Sequence, residues 1–157
     1  MLIFKKEFHW LVAPSQSVLW AIIPISYTLV IQVLTGFPKP QTMKEISAHD
    51  LLVYISEELF DYPYWLQDLS HFPLFFLFAW LWTWFLRRKE PKYSALWKSI
   101  LICVSFAVLN ELSQFFIPRR FPSIADVVMN LAGVGIAIII HSYFFTQRRN
   151  RLKLSKC

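Results

Sequence analysis

The stretch from Leu96 to Phe145, LWKSILICVSFAVLNELSQFFIPRRFPSIADVVMNLAGVGIAIIIHSYFF, contains two long apolar runs separated by Pro118 to Ser123. As helices, Leu96 to Ile117 and Ile124 to Phe145 can each cross a hydrocarbon core about 30 Å thick, which takes roughly 20 residues. The turn between them, PRRFPS, has two prolines and two arginines, so it reverses the chain at a membrane surface. Two further segments meet the same length requirement, Ser17 to Thr35 and Asp68 to Leu86. The second reaches spanning length only if Asp68 and His71 belong to its first turns. The expectation is an all-α membrane protein, a bundle of four transmembrane helices forming a single domain over residues 1–157.

Composition excludes the main alternative. Hydrophobic residues make up 56% of the 157, and charged residues only 17%, against about 25% in a soluble domain. The few charges lie in short clusters and cannot coat a soluble core, which rules out a soluble enzyme. Seven tryptophans among 18% aromatics suit a chain that meets membrane interfaces. Cys103 lies in an apolar run and Cys157 at the chain end, a spacing that suggests neither a disulfide nor a metal pair. The first apolar stretch lacks a small-x-small cleavage site before Gly36 and reads as a retained span.

Lys and Arg set the expected orientation. Lys5 and Lys6 precede the first span, Arg87, Arg88, Lys89 and Lys92 fill the second connection, and Arg148, Arg149, Arg151, Lys153 and Lys156 follow the fourth. The positive-inside rule places all three segments, and both termini, in the cytoplasm. The loop from Gly36 to Gln67 carries Lys39 and Lys44 against five acidic residues and fits the opposite side. Within it, Thr42 to Glu45 has the form of a capping box, and Leu52, Ile55 and Leu59 recur at helical spacing, predicting an amphipathic helix on the outer surface. The net charge of +6 is then anchoring to anionic membrane lipid; no nucleic-acid-binding motif accompanies it.

The polar residues of the quoted stretch gather where lipid is expected. Glu111 lies six residues before Ile117, hence about 9 Å below the outer interface at 1.5 Å per residue. Asn130 reaches the same depth from the other side of the turn. Glu111 and Gln114 share one helix face, and Asp126, Asn130 and Gly133 share another. The short turn lets these faces meet, with Gly133 permitting close approach between helices. Asp68 and His71 open the second span on the same side, so seven groups converge on one outer pocket: Asp68, His71, Glu111, Gln114, Arg120, Asp126 and Asn130.

Each also has a structural reading. Asp126 with Ser123, or Asp68 alone, could be a helix cap; Gln114 and Asn130 could hold helices together; His71 could be an interface histidine. Glu111 resists such a reading, because a carboxylate at that depth costs about 2.5–3.5 kcal/mol on insertion scales. Arg119 and Arg120 lie outside against the charge bias, so at least one needs an anionic partner.

These residues resemble the VanZ-like family of small bacterial membrane proteins, whose founding member is associated with teicoplanin resistance. The family's Glu-x-x-Gln, Pro-x-Arg and Asp-x-x-x-Asn-x-x-Gly elements are matched by Glu111 and Gln114, Pro118 and Arg120, and Asp126, Asn130 and Gly133. Its Asp-x-x-His-Phe is matched by Asp68, His71 and Phe72. Arg119 and Ala137 depart from positions where the family often has Gly. The resemblance implies a multi-pass protein of the bacterial cell membrane with a link to lipoglycopeptide susceptibility.

Three functions remain open. In the leading one the pocket binds an anionic lipid-linked or lipoglycopeptide ligand, with Arg120 taking the charge, Gln114 and Asn130 orienting it, and Asp126 beside them. In the second, an enzyme uses Glu111 as general acid or base and His71, oriented by Asp68, as its partner. In the third the cluster only locks helices in an accessory subunit. The enzyme would need water or a bound metal. Asp68, His71, Glu111 and Asp126 could hold a hard or borderline divalent ion, but a single histidine among carboxylates is a weak pattern, so no metal ligand is assigned and no cofactor is expected. Four spans are few for a transporter unless the chain forms a homo-oligomer.

Overall fold

The computed structural model describes residues 17–60, 63–87, 92–118 and 120–154. Lys5, Lys6, Arg88, Lys89, Arg119, Lys156 and Cys157 lie outside them. The described residues form no strand. A short 3₁₀ turn, Val18–Ala21, leads into α1 (Ile22–Gly36). The loop that follows carries α2 (Pro40–Glu45) and α3 (Asp50–Phe60). Next come α4 (Tyr64–Leu86), α5 (Lys92–Ser113) with a 3₁₀ extension at Gln114–Phe116, and α6 (Ile124–Leu154). Four segments are long and apolar enough to cross a membrane: Val18–Gly36, Trp65–Leu86, Tyr93–Phe116 and Ile124–Gln147.

Three local expectations are corrected. α4 begins at Tyr64, with Pro63 in the N-cap position, because Tyr64, Trp65 and Leu66 supply an aromatic and apolar first turn. Asp68 and His71 therefore lie one and two turns inside the helix, and Asp68 is not its cap. Thr42 caps nothing either. Pro40, whose fixed φ suits the first helical position, starts α2 two residues earlier, and the Thr42 hydroxyl donates to the Pro118 carbonyl at 3.3 Å. Ser47, in the left-handed region at φ 52°, ends α2 and lets α3 begin anew. Arg87, read as an orienting cation in a loop, is buried: its Nη2 donates to Ser142 Oγ at 2.7 Å and its guanidinium lies 4.4 Å above the Phe145 ring.

The core draws on all four long helices. Ile31 of α1, Phe75, Phe78 and Ala79 of α4, Cys103 and Ala107 of α5, and Val134, Ala137 and Ile138 of α6 form one buried cluster. Side chains on the opposite faces, such as Leu29, Leu101 and Ile139, are exposed. That distribution is stable only when lipid covers the outside. The small residues set the helix spacing, as expected where lipid offers no hydrophobic contrast and backbones must approach closely to gain contact. Gly133 is the extreme case, since a Cβ there would lie 2.4 Å from the Phe72 carbonyl oxygen and 2.9 Å from the Phe76 nitrogen. The close contact is thus between α6 and α4, not between α6 and α5, the pair joined by the short turn. Packing Gly133 against Phe72 brings the preceding turn of α6, with Asn130, alongside His71.

Candidate functional site

Four elements meet at the end of the bundle that carries the α5–α6 turn. α4 brings Asp68 and His71, α5 brings Glu111, its 3₁₀ extension brings Gln114, and α6 brings Asp126 and Asn130. Arg120 enters from the turn. The structure brings all seven sequence-identified residues together.

His71 is the hinge of the arrangement. It is buried, and its Nδ1 lies 3.0 Å from Asn130 Oδ1. Asn130 is fully buried and presents its amide oxygen, so Nδ1 is the donor, and in the neutral ring Nε2 keeps its lone pair. That Nε2 lies 4.0 Å from Asp126 Oδ1, beyond hydrogen-bond range, and Oδ1 is buried without a hydrogen-bond partner. Asp68 adds a second carboxylate beside Asp126.

Glu111 is fully buried, and both its oxygens accept hydrogen bonds. Gln114 Nε2 donates to Oε1 at 2.8 Å, and the Ser123 backbone N–H donates to Oε2 at 3.4 Å. The 3₁₀ turn that tightens the end of α5 at Gln114–Phe116 tucks Gln114 under the bundle, while Phe115 and Phe116 point outward. Ser123 does cap α6, accepting from the Asp126 N–H at 3.4 Å. The Asp126 side chain instead faces His71, so the cap and the site share this turn.

Arg120 has work the sequence did not foretell. Its Nη1 donates to the Thr35 carbonyl at 2.7 Å and the Phe37 carbonyl at 3.1 Å, tying the end of α1 to the cluster. Burial lowers its pKa from the ordinary arginine value, while nearby Glu111 and Asp126 oppose that shift; it remains a cation. Arg120→Lys keeps the charge but loses the planar fork that serves two carbonyls and faces the cluster. The expected loss is roughly 1.5–3 kcal/mol of stability, read as a lower melting temperature in detergent. A melting curve that overlays the wild type would show that charge alone suffices.

Two contributors escaped the sequence reading. Asn110 is buried one residue before Glu111, with its Oδ1 2.7 Å from Thr35 Oγ1. Thr35 itself lies in the last turn of α1. Their signal was a polar residue inside each apolar run, but neither belongs to the spacing pattern that singled out the others.

Beside the cluster is a cavity of about 150 Å³. Its lining is mixed, with polar Arg120, His71, Ser70, Gln67 and Thr35 and apolar Leu34, Leu59 and Leu74. A second cavity, of about 300 Å³, shares Leu59, Gln67 and Ser70 with it and adds Leu66. Leu59 comes from α3, so the loop helix contributes to the lining of both cavities.

The VanZ/LLP1 family model matches residues 24–145. An uncharacterised protein of the fission yeast Schizosaccharomyces pombe, C11E3.10, is 28% identical over 91 residues, which cover 57% of this chain and 55% of that protein. The match thus spans about half the length of this curated relative. No solved structure matches the chain.

Proposed function

Because the chain belongs to the VanZ/LLP1 family, we propose that it is a cell-envelope membrane protein whose pocket binds the anionic headgroup of a lipid-linked or lipoglycopeptide ligand. The observation that carries this reading is the mixed polar and apolar lining of the cavity. Arg120, His71, Ser70 and Gln67 suit an oxyanion, while Leu34, Leu59 and Leu74 suit a chain attached to it. Its position at the end of four spanning helices is where a lipid headgroup resides. Arg120 supplies the cation, and α3 adds Leu59 to the apolar lining. Through the family's association with teicoplanin resistance, such binding would alter lipoglycopeptide susceptibility.

The test is thermal melting of the purified protein in detergent with added anionic phosphatidylglycerol or a polyprenyl phosphate, against neutral phosphatidylcholine. Anionic lipid should raise the midpoint by several degrees and neutral lipid should not. Equal shifts would remove the case for headgroup recognition. In cells, expression should change the inhibitory concentration of teicoplanin, and Arg120→Lys should abolish the change.

The reading requires the pocket to face away from the cytoplasm. A cysteine at position 57, on exposed Glu57 of α3, should react with an impermeant maleimide in intact cells, whereas Cys157 should react only after lysis. The reverse pattern would put the pocket on the cytoplasmic face.

A further inference from the structure

We propose that His71, Glu111 and Asp126 hold a divalent transition-metal ion, Zn²⁺ or Mn²⁺, beside the pocket that His71 lines. The proposal stands whether or not the cavity takes a lipid. One ligand atom from each of the three residues lies within 4.8 Å of the others. An ion about 2.0–2.2 Å from each of its ligands holds them roughly 3–4.4 Å apart, so small side-chain rotations complete the set.

Two independent features show that something positive belongs there. The first is the histidine. Nδ1 donates to Asn130 Oδ1, and in the neutral ring the Nε2 lone pair then faces Asp126 Oδ1 at 4.0 Å. A lone pair and a carboxylate oxygen repel each other, and this oxygen is buried with no hydrogen-bond donor. A hydrogen bond from the far ring nitrogen is also how metal-bound histidines are oriented and their tautomer fixed, and Asn130 occupies that position. The second feature is charge. Glu111 and Asp126 lie beside one guanidinium, Arg120, and Asp68 lies beside Asp126. With all three carboxylates ionised and His71 neutral, the cluster would carry two formal negative charges in excess at the end of a membrane bundle, where uncompensated charge is costly. A dication neutralises that excess.

The donor set narrows the metal. Imidazole suits zinc, iron and copper, and carboxylates suit magnesium, calcium and manganese; one nitrogen with two carboxylates falls between, at Zn²⁺ or Mn²⁺. Three protein ligands also leave coordination positions for water or a ligand oxygen. The sequence signal for such a site is weak, because the three ligands come from three helices and no pair has a motif spacing.

The test uses the full chain purified in detergent with a histidine-free affinity tag, stripped with a chelator and dialysed against Zn²⁺ or Mn²⁺ separately. Elemental analysis should find one ion per chain in one of the two arms, with a melting temperature several degrees higher. Asp126→Asn and His71→Gln should weaken retention at least tenfold, Asn130→Ala should weaken it about tenfold as an orienting partner, and exposed His49→Gln should leave it unchanged. Because the variants could fail to fold, the wild type is also examined by pulsed electron paramagnetic resonance with Mn²⁺, which should show coupling to a single imidazole nitrogen. The proposal is overturned if the wild type retains neither ion, if folded His71→Gln retains it with wild-type affinity, if His49→Gln abolishes retention, or if bound Mn²⁺ shows no nitrogen coupling.

Discussion

Gly133→Ala is expected to cost more stability than any other single methyl group added to this bundle. The new Cβ would lie 2.4 Å from the Phe72 carbonyl oxygen and 2.9 Å from the Phe76 nitrogen. Both atoms are backbone, so no rotamer change can make room; α4 and α6 must separate. Overpacking typically costs about 1–3 kcal/mol, and this case belongs at or above the upper end, only partly offset by alanine's helix preference of about 1 kcal/mol over glycine. The separation also stretches the 3.0 Å contact between His71 and Asn130, because Phe72 follows His71 and Gly133 lies one turn beyond Asn130. Gly135→Ala is the control, since a Cβ there meets nothing within 4 Å. Melting in detergent should show Gly133→Ala many degrees below wild type and Gly135→Ala level with it or slightly above. Matching melting points for the two variants would mean that the helices do not pack as described.

The contrast between these glycines marks where the sequence is readable. Helical spacing put Asp126, Asn130 and Gly133 on one face and Glu111 with Gln114 on another, and period alone was enough to foresee that their side chains meet. Apolar length was likewise enough for the four spans. Which helix Gly133 packs against was not readable. The short α5–α6 turn favoured α5, but chain proximity says nothing about crossing distance, and the small residues Ala79, Gly133 and Ala137 draw α6 onto α4. Element starts were also misplaced, at Asp68 and Thr42, because a polar residue near a helix end looks like a cap from sequence alone. Arg120 illustrates a third limit. Its need for a partner was legible from the charge bias, but its bonds to the Thr35 and Phe37 carbonyls depend on where α1 ends in space.

Glu111→Gln should separate function from packing, because the structure shows how the fold can tolerate it. Glu111 accepts from Gln114 Nε2 and from the Ser123 N–H. A glutamine at 111 keeps one acceptor for Ser123, and its new NH₂ group would face the Gln114 NH₂. Gln114 resolves that clash by turning its amide over and offering its oxygen, since the two ends of an amide are nearly the same shape. Arg120 is not stranded, as it keeps the Thr35 and Phe37 carbonyls and the nearby Asp126. Losing a buried carboxylate also removes an insertion cost of about 2.5–3.5 kcal/mol. The melting temperature should therefore stay within a few degrees of wild type or rise. Stabilisation by metal should fall sharply, and with it any effect on teicoplanin susceptibility, because the cluster loses one of its three ion ligands, whereas removing a negative charge beside Arg120 should not weaken stabilisation by anionic lipid. The opposite pairing of results, a much earlier melt with full metal response and full cellular effect in the folded fraction, would make Glu111 a helix fastener and return the cluster to a purely structural role.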